Sequence, residues 1–159
     1  PYYISSAIIR HLMQAQRRPK RVVLTVQKEV AERVLARVGK MSLLSLSVQI
    51  YGQVSMAGVI PAGSFLPAPE VDSAVLKIEL YTEPQVPFEQ QDAFFKLAHA
   101  GFGQKRKTLR NSLSAGMALA GAEVETLLRN NGIDPQRRAE TLTILEWKNL
   151  TEAWLARSA

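Results

Sequence analysis

Cationic side chains cluster in one short stretch of the chain and are its plainest chemical feature. Lys105, Arg106, Lys107 and Arg110 lie close together, and the surrounding window 97–121 contains no acidic residue. Ammonium and guanidinium groups without local carboxylates are suited to binding phosphate. A solvated surface is the ordinary alternative for a charge run. The acid-free window and the net charge of +6 favour phosphate contacts.

The spacing of apolar residues predicts a helix over 104–117 that would carry this cluster. Leu109, Leu113 and Met117 recur at steps of four, as on one face of a helix. On such a helix Arg106 and Arg110 would share a second face, pointing away from the core.

Two further groups of cations are weaker signals. The first comprises Arg17, Arg18, Lys20 and Arg21. It could contact phosphates, or it could be the solvated part of a linker. In the second, Arg137 and Arg138 alternate with acids at 134 and 140, which favours local ion pairs.

Aromatic residues and prolines mark two other stretches that could handle a planar ligand. They are PYYIS at 1–5 and SFLPAPEVDSAVLKI at 64–78. Rings of this kind stack on nucleobases. The ordinary alternatives are a hydrophobic staple for Tyr2 and Tyr3, and a loop anchor for Phe65. Asp72 is better explained as a turn or capping residue than as a catalytic acid.

The composition limits the classes of protein to consider. Apolar residues make up 47% of the chain and charged residues 21%, which is typical of a folded globular protein. The absence of cysteine excludes disulfides and thiolate metal sites and fits a reducing cytoplasm. His11 and His99 are far apart, so we expect no metal site. The apolar runs are too short to span a membrane.

The elements that must position these residues divide the chain in two at a proline-rich linker, TEPQVP. In the first part we predict helices over 5–16 and 28–38 and strands over 22–26, 53–60 and 73–81. The periodicity of 41–51 fits either a helix or a strand, and we favour a helix. The run VVLTV is typical of a buried strand. In the last strand Ala74, Leu76, Ile78 and Leu80 should face inward. The second part is helical, over 88–100, 104–117, 123–131 and 143–157, and Thr143 with Glu146 forms a capping box.

Four stretches together resemble the KsgA-type ribosomal RNA adenine dimethyltransferase family. They are PYYIS at 1–5, SFLPAPEVDSAVLKI at 64–78, FGQKRKTLRNSL at 102–113 and GIDPQRRAETLT at 132–143. The resemblance covers the whole chain. It implies the trailing half of a Rossmann-like class I methyltransferase sheet over 1–83, followed by a small helical RNA-recognition domain over 84–159.

The resemblance also assigns roles to residues. Pro1 and Tyr2 would end the catalytic Asn-Leu-Pro-Tyr motif, and Tyr2, Phe65 and Pro67 would form the pocket for the substrate base. Two cation groups would contact RNA, one at 17–21 in the first domain and one at 105–110 in the second. The cofactor of the family is S-adenosylmethionine, whose glycine-rich loop is expected upstream of Pro1. The local G-x-G at 101–103 follows a helix and does not qualify.

The expected function is therefore dimethylation of adjacent adenosines near the 3′ end of small-subunit rRNA, in pre-30S particles of the cytoplasm. Because Pro1 has no methionine before it, we expect this chain to be a fragment. Since the resemblance places the S-adenosylmethionine site upstream of Pro1, the fragment should not bind this cofactor and should be inactive alone. We also expect it to form a non-native dimer through an exposed sheet edge. The alternative is a non-catalytic rRNA-binding module that assists ribosome assembly. The residues upstream of Pro1 would decide between the two.

Overall fold

The computed structural model describes residues 4–15 and 17–158, and these divide into two compact units. The first unit contains Pro1–Ala36 and Leu44–Gln85, and the second contains Arg37–Leu43 and Val86–Ala159. The short segment Arg37–Leu43 thus belongs with the C-terminal helices, although the sequence places it in the first part. Backbone hydrogen bonds attach this segment to the second unit: the N–H groups of Gly39 and Met41 donate to the carbonyl oxygen of Glu140 at 2.8 and 3.3 Å.

A three-stranded antiparallel sheet forms the centre of the first unit. Its strands are β1 (Arg21–Gln27), β2 (Gly52–Ile60) and β3 (Ser73–Leu80), in the order β1-β3-β2. The central strand β3 is the one with the clean alternation in sequence, and Ala74, Leu76 and Ile78 are fully buried as expected. A register shift between Met56 and Gly58 interrupts the pairing of β2 with β3.

Strand β1 differs from the sequence prediction of a strand buried on both faces. Val22 and Val26 are buried, but Val23 between them is 54% exposed and Thr25 is also exposed. The physical reason is that the core covers one face of this antiparallel sheet, and Val23 and Thr25 lie on the other face.

Three helices complete the first unit: α1 (Ser5–Gln14), α2 (Lys28–Val34) and α3 (Leu43–Gln49). Helix α3 confirms the preference for helix in a segment whose periodicity was ambiguous. Helix α2 ends at Val34, earlier than the predicted 38. The amide Nε2 of Gln49 binds the carbonyl oxygens of Val34 and Ala36 at 2.6 and 2.9 Å, so a side chain of the next helix takes up the carbonyls at this end.

Four helices form the core of the second unit: α4 (Phe88–Phe102), α5 (Leu109–Met117), α6 (Gly121–Asn130) and α7 (Ile144–Ser158). Trp147 of α7 is fully buried and stacks on Phe102 at a centroid distance of 5.8 Å. Gly101 allows this approach, because a Cβ there would lie only 2.5 Å from Trp147 Cη2. None of the helices in the described part of the chain is long and apolar enough to cross a membrane.

The N-termini of two helices show how local sequence sets their boundaries. At α7 the predicted capping box is confirmed: Thr143 N donates to Glu146 Oε2 at 2.7 Å, and Glu146 N donates to Thr143 Oγ1 at 3.1 Å. Helix α5, in contrast, begins at Leu109 and not at the predicted 104. Thr108 is its N-cap, with Oγ1 accepting from Asn111 N at 3.4 Å.

Candidate nucleic-acid interface and base-binding loop

The basic turn, residues 104–107, lies between α4 and α5 and presents three consecutive cations. Lys107 N donates to the carbonyl oxygen of Gln104 at 3.0 Å, which closes the turn. Lys105, Arg106 and Lys107 are all exposed, and within the described residues none of the three forms an ion pair. The expectation that Arg106 and Arg110 share a helix face is wrong, because Arg106 precedes the helix. The three cations nevertheless remain together on the surface.

Backbone carbonyls from a second segment close the N-terminus of α5. Leu109 N donates to the carbonyl oxygen of Arg137 at 2.6 Å, and Arg110 N donates to that of Pro135 at 3.2 Å. With Thr108 Oγ1 on Asn111, donors of the first turn that would otherwise face solvent have protein partners. A phosphate at this position would therefore be bound by the side chains of the basic turn rather than by the helix N-terminus.

Arg110 is engaged within the protein, unlike its three neighbours. Its Nε lies 3.2 Å from Glu125 Oε2 on α6, and its Nη1 donates to Asn111 Oδ1 at 3.2 Å. The guanidinium also lies against Gly121, where a Cβ would come within 2.6 Å of Nη2. The sequence did not predict this pair, because Glu125 lies outside the window without acids. It comes close to Arg110 only because α5 and α6 pack together.

The cluster at 17–21 splits in the same way. Arg18 Nη2 donates to the carbonyl oxygen of Thr82 at 3.0 Å, and Arg21 Nε binds Glu79 Oε1 at 2.7 Å. Lys77 also contacts Glu79, at 2.8 Å, and these hydrogen bonds from Lys77 and Arg21 lower the pKa of Glu79. Arg17 and Lys20 are exposed. Arg21 is also exposed, but like Arg18 it has a partner within the protein.

Arg137 and Glu146 form the most enclosed ion pair of the second unit. Arg137 Nη1 and Nη2 bind the two carboxylate oxygens of Glu146 at 2.5 and 3.2 Å, and Nη2 also donates to the carbonyl oxygen of Thr141 at 2.5 Å. This hydrogen-bonded pair raises the pKa of Arg137 and lowers the pKa of Glu146. Local pairing was expected here. Arg138 does lie 4.0 Å from Glu140, whereas Arg137 reaches the more distant Glu146.

The segment between β2 and β3, residues 61–72, is the candidate base-binding loop, named for the pocket that the sequence predicts there. A short 3₁₀ turn, Ala62–Ser64, leads directly into Phe65, whose N–H donates to the carbonyl oxygen of Ala62 at 3.2 Å. Phe65 is half-buried, and the next residue, Leu66, is fully exposed. Pro67 is exposed as well and follows a cis peptide bond. Phe65 is therefore not sealed into the core, and part of the residue is accessible.

Asp72 holds the two ends of this loop together. Its Oδ1 accepts from Ala62 N at 3.0 Å, and its carbonyl oxygen accepts from Lys28 N at 3.0 Å. These bonds agree with the structural role expected for Asp72. Pro1 and Tyr2, the other predicted members of the base pocket, lie outside the described residues.

The glycines at 101 and 103 do not form a cofactor loop. Gly101 lies within α4 against Trp147, and Gly103 ends the helix. Likewise, no group of three or more His, Asp or Glu side chains in the described ranges is placed to hold a metal ion.

The comparisons with known proteins all point to one family. Residues 1–154 match the family model for ribosomal RNA adenine dimethylase. Ribosomal RNA small subunit methyltransferase A of Dehalococcoides mccartyi (strain CBDB1) is 48% identical over 150 residues, which are 94% of this chain and 52% of the relative. The protein of the same name from Desulfitobacterium hafniense (strain DSM 10664 / DCB-2) is 40% identical over 155 residues, covering 96% of this chain and 55% of the relative. The chain thus spans about half the length of these curated relatives.

A solved structure shares the fold across the chain. The crystal structure of a dimethyladenosine transferase from Plasmodium falciparum matches with a TM-score of 0.82 and 24% sequence identity, over 99% of this chain and 65% of that one. The three-stranded sheet with its helices and the helical unit therefore match part of the fold of that transferase. The predicted fold class is confirmed.

Proposed function

The chain belongs to the ribosomal RNA adenine dimethylase family, and on that premise we propose that it is the base-binding and RNA-docking part of an enzyme that dimethylates adenosines in small-subunit rRNA. The proposed reaction is transfer of methyl groups from S-adenosylmethionine to N6 of adjacent adenosines near the 3′ end of 16S rRNA. The substrate would be the pre-30S particle in the cytoplasm.

One observation carries this proposal. The family match over residues 1–154 includes both the base-binding loop and the basic turn. In the structure, the side chains proposed to bind RNA in these two segments are accessible to solvent. Phe65 is only half-buried, and Lys105, Arg106 and Lys107 are exposed without internal partners among the described residues. A ring for stacking and cations for phosphates are together what a base-modifying RNA enzyme requires.

The chemistry of adenine explains what these residues would do. The lone pair on N6 is delocalised into the ring, so the amine is a weak nucleophile that must be held in line with the methyl donor. The base leaves its stack to reach the active site, which costs a few kcal/mol. Stacking on an aromatic side chain returns roughly 1–3 kcal/mol. We assign this stacking to Phe65, and by family resemblance to Tyr2, with Pro67 shaping the loop.

The described residues do not fit a site for the methyl donor. The family's glycine-rich loop has no counterpart here, because the G-x-G sequence at 101–103 is part of helix packing against Trp147. We therefore assign no described residue to S-adenosylmethionine. The proposed role of this chain is limited to capturing the base and binding the RNA backbone.

The test separates base capture from RNA docking in the full-length protein. Phe65→Ala should strongly reduce methyl transfer to small-subunit rRNA while leaving RNA affinity nearly unchanged. The triple variant K105Q/R106Q/K107Q should weaken binding to cognate and unrelated RNA alike, because phosphates carry no sequence information. If the Phe65 variant methylates normally, the assignment of the base-binding loop is wrong.

A second function is favoured by the location of the basic turn. Lys105, Arg106 and Lys107 lie in the second unit, which has its own core around Trp147 and Phe94. This unit could serve as a non-catalytic rRNA-binding module in ribosome assembly. A chain that binds rRNA with wild-type affinity after the Phe65→Ala change, and that supports assembly without methylation, would favour this alternative.

A further inference from the structure

Three distant segments of the sequence meet in the second unit, and each carries exposed cations. They are the basic turn at 104–107, the segment at 134–140 and the turn at 37–41. Backbone hydrogen bonds join the segments in series, so their proximity follows from main-chain geometry and not from the position of mobile side chains.

The first junction connects the basic turn to Arg138. Leu109 N lies 2.6 Å from the carbonyl oxygen of Arg137. With 3.8 Å between successive Cα atoms, this bond places the Cα atoms of Lys107 and Arg138 at most about 12 Å apart. Both side chains can extend further than half that distance. The Arg138 side chain is 54% exposed and is therefore directed to solvent.

The second junction connects the same segment to Arg37 and Lys40. The carbonyl oxygen of Glu140 accepts from Gly39 N at 2.8 Å and from Met41 N at 3.3 Å. Gly39 has a φ of +96°, which a glycine adopts without strain, and Lys40 N closes the turn on the carbonyl oxygen of Arg37 at 2.9 Å. Arg37 and Lys40 are both exposed.

The charges along these segments are mostly of one sign. Two carboxylates are present: Glu140, 4.0 Å from Arg138, and Asp134, whose Oδ1 accepts from Gln136 N at 2.9 Å. Among the described residues Arg37 and Lys40, like the cations of the basic turn, form no ion pair. Such a surface attracts a polyanion at ordinary salt concentrations.

We propose that Arg37, Lys40 and Arg138 extend the basic turn into one phosphate-binding strip that contacts the RNA backbone. This inference rests on the proposed function and adds three residues to its RNA-binding surface. These three residues could not be predicted from the sequence alone. Arg37 and Lys40 lie in the first part of the sequence, before strands β2 and β3, and Arg138 has an acidic neighbour. The partner is structured RNA, which proteins recognise largely through its shape and backbone.

The experiment measures RNA binding by the 159-residue chain as a function of salt, with the 3′-terminal hairpin of small-subunit rRNA and an unrelated hairpin as probes. Log K falls linearly as log salt rises, and each lost phosphate contact reduces the magnitude of this slope by roughly 0.7–0.9. The triple variant R37Q/K40Q/R138Q should therefore reduce the slope by about two to three units with both probes.

A matched control removes the same charge elsewhere. Arg10, Arg33 and Lys96 are exposed and lie outside the three segments. Their triple glutamine variant should leave the slope nearly unchanged. The charge-retaining variant R37K/K40R/R138K should also keep the wild-type slope. This variant shows that any loss reflects charge and not misfolding.

The outcomes separate this inference from the proposed function. If K105Q/R106Q/K107Q lowers the slope and R37Q/K40Q/R138Q does not, the basic turn binds RNA but the strip does not extend beyond it. If neither variant lowers it, the RNA interface itself is wrongly assigned. Equal reductions by the strip variant and its control would mean that only net charge matters, and would overturn the strip.

Discussion

At the scale of single residues, the structure separates side chains that have internal partners from those that do not. Arg110 is predicted to contact RNA, whereas Asp72 and Arg137 are expected to have structural roles, and in the structure all three are held by neighbouring groups. Asp72 closes a loop, Arg110 pairs with Glu125, and Arg137 pairs with Glu146. Breaking such contacts would primarily change stability. Phe65 is only half-buried, so its substitution should primarily change function.

Phe65→Ala should therefore reduce methyl transfer by the full-length protein far more than it reduces stability. Losing a stacking partner worth roughly 1–3 kcal/mol corresponds to a rate decrease of about 5- to 160-fold. The measurement is the rate of methyl incorporation into small-subunit rRNA. Leu66→Ala, a change at the fully exposed neighbour, is the control and should retain activity. Equal effects of the two changes would argue against a base-stacking role.

The Arg137–Glu146 pair makes a prediction about pH. Its hydrogen bonds lower the pKa of Glu146 in the folded protein, so the pair contributes stability above the unfolded pKa of about 4.3 and loses it as pH falls through the lowered value. Glu146→Gln should lower the melting temperature at neutral pH and flatten its decrease below about pH 4.3. The control is Glu152→Gln in a surface pair with a distance of 3.9 Å. If Glu146→Gln leaves the acid limb of the melting curve unchanged, the pair does not stabilise the fold.

At the scale of elements, local patterns predicted most of the helices and strands but not all of their ends. Alternation predicted β3, and reciprocal capping by Thr143 and Glu146 fixed the start of α7. The start of α5 was missed because the spacing of Leu109, Leu113 and Met117 predicts a helix without marking its first residue. The deciding contacts come from Arg137 and Pro135, far along the chain. Pairing partners of this kind are set by tertiary structure and cannot be derived from spacing.

The same limit applies to the candidate site. The sequence identified the basic turn and Phe65, since runs of cations and an aromatic between prolines are visible locally. It did not reveal that Glu125 would neutralise Arg110, or that Arg37 and Lys40 would lie beside the segment at 134–140. Both depend on which elements pack together in the second unit.

The N-cap of α5 can be tested directly. Thr108→Ala removes the side-chain acceptor of Asn111 N, which should lower the free energy of unfolding by about 1 kcal/mol. Thr108→Ser keeps a hydroxyl and should cost only a small fraction of this. Urea unfolding followed by circular dichroism measures both. An alanine variant as stable as the serine variant would mean that the carbonyls of Arg137 and Pro135 alone are enough to start the helix.

At the scale of the whole molecule, the two units differ in how completely they cover their strands and helices. In the second unit helices surround the buried Trp147. In the first, β1 pairs with β3 on one side, and among the described residues no strand pairs with its other side. Leu80 N bonds the carbonyl oxygen of Lys20, and Lys28 N bonds that of Asp72. Because hydrogen-bonded pairs alternate along an antiparallel ladder, even-numbered residues of β1 face β3 and the N–H and C=O groups of Val23 and Thr25 point to the open edge.

This geometry predicts that the chain, by itself, associates through the edge of β1. An open edge with an exposed valine is a template for pairing with a second strand. Val23→Pro removes an N–H that points away from β3, so it should block edge pairing and shift the chain to monomer in sedimentation velocity at micromolar concentration, with little loss of folded structure. The control is Leu24→Pro, which removes a donor to β3 and should unfold the first unit. A wild-type chain that is monomeric under the same conditions, or a Val23→Pro variant that associates as strongly as wild type, would show that this edge is not the contact.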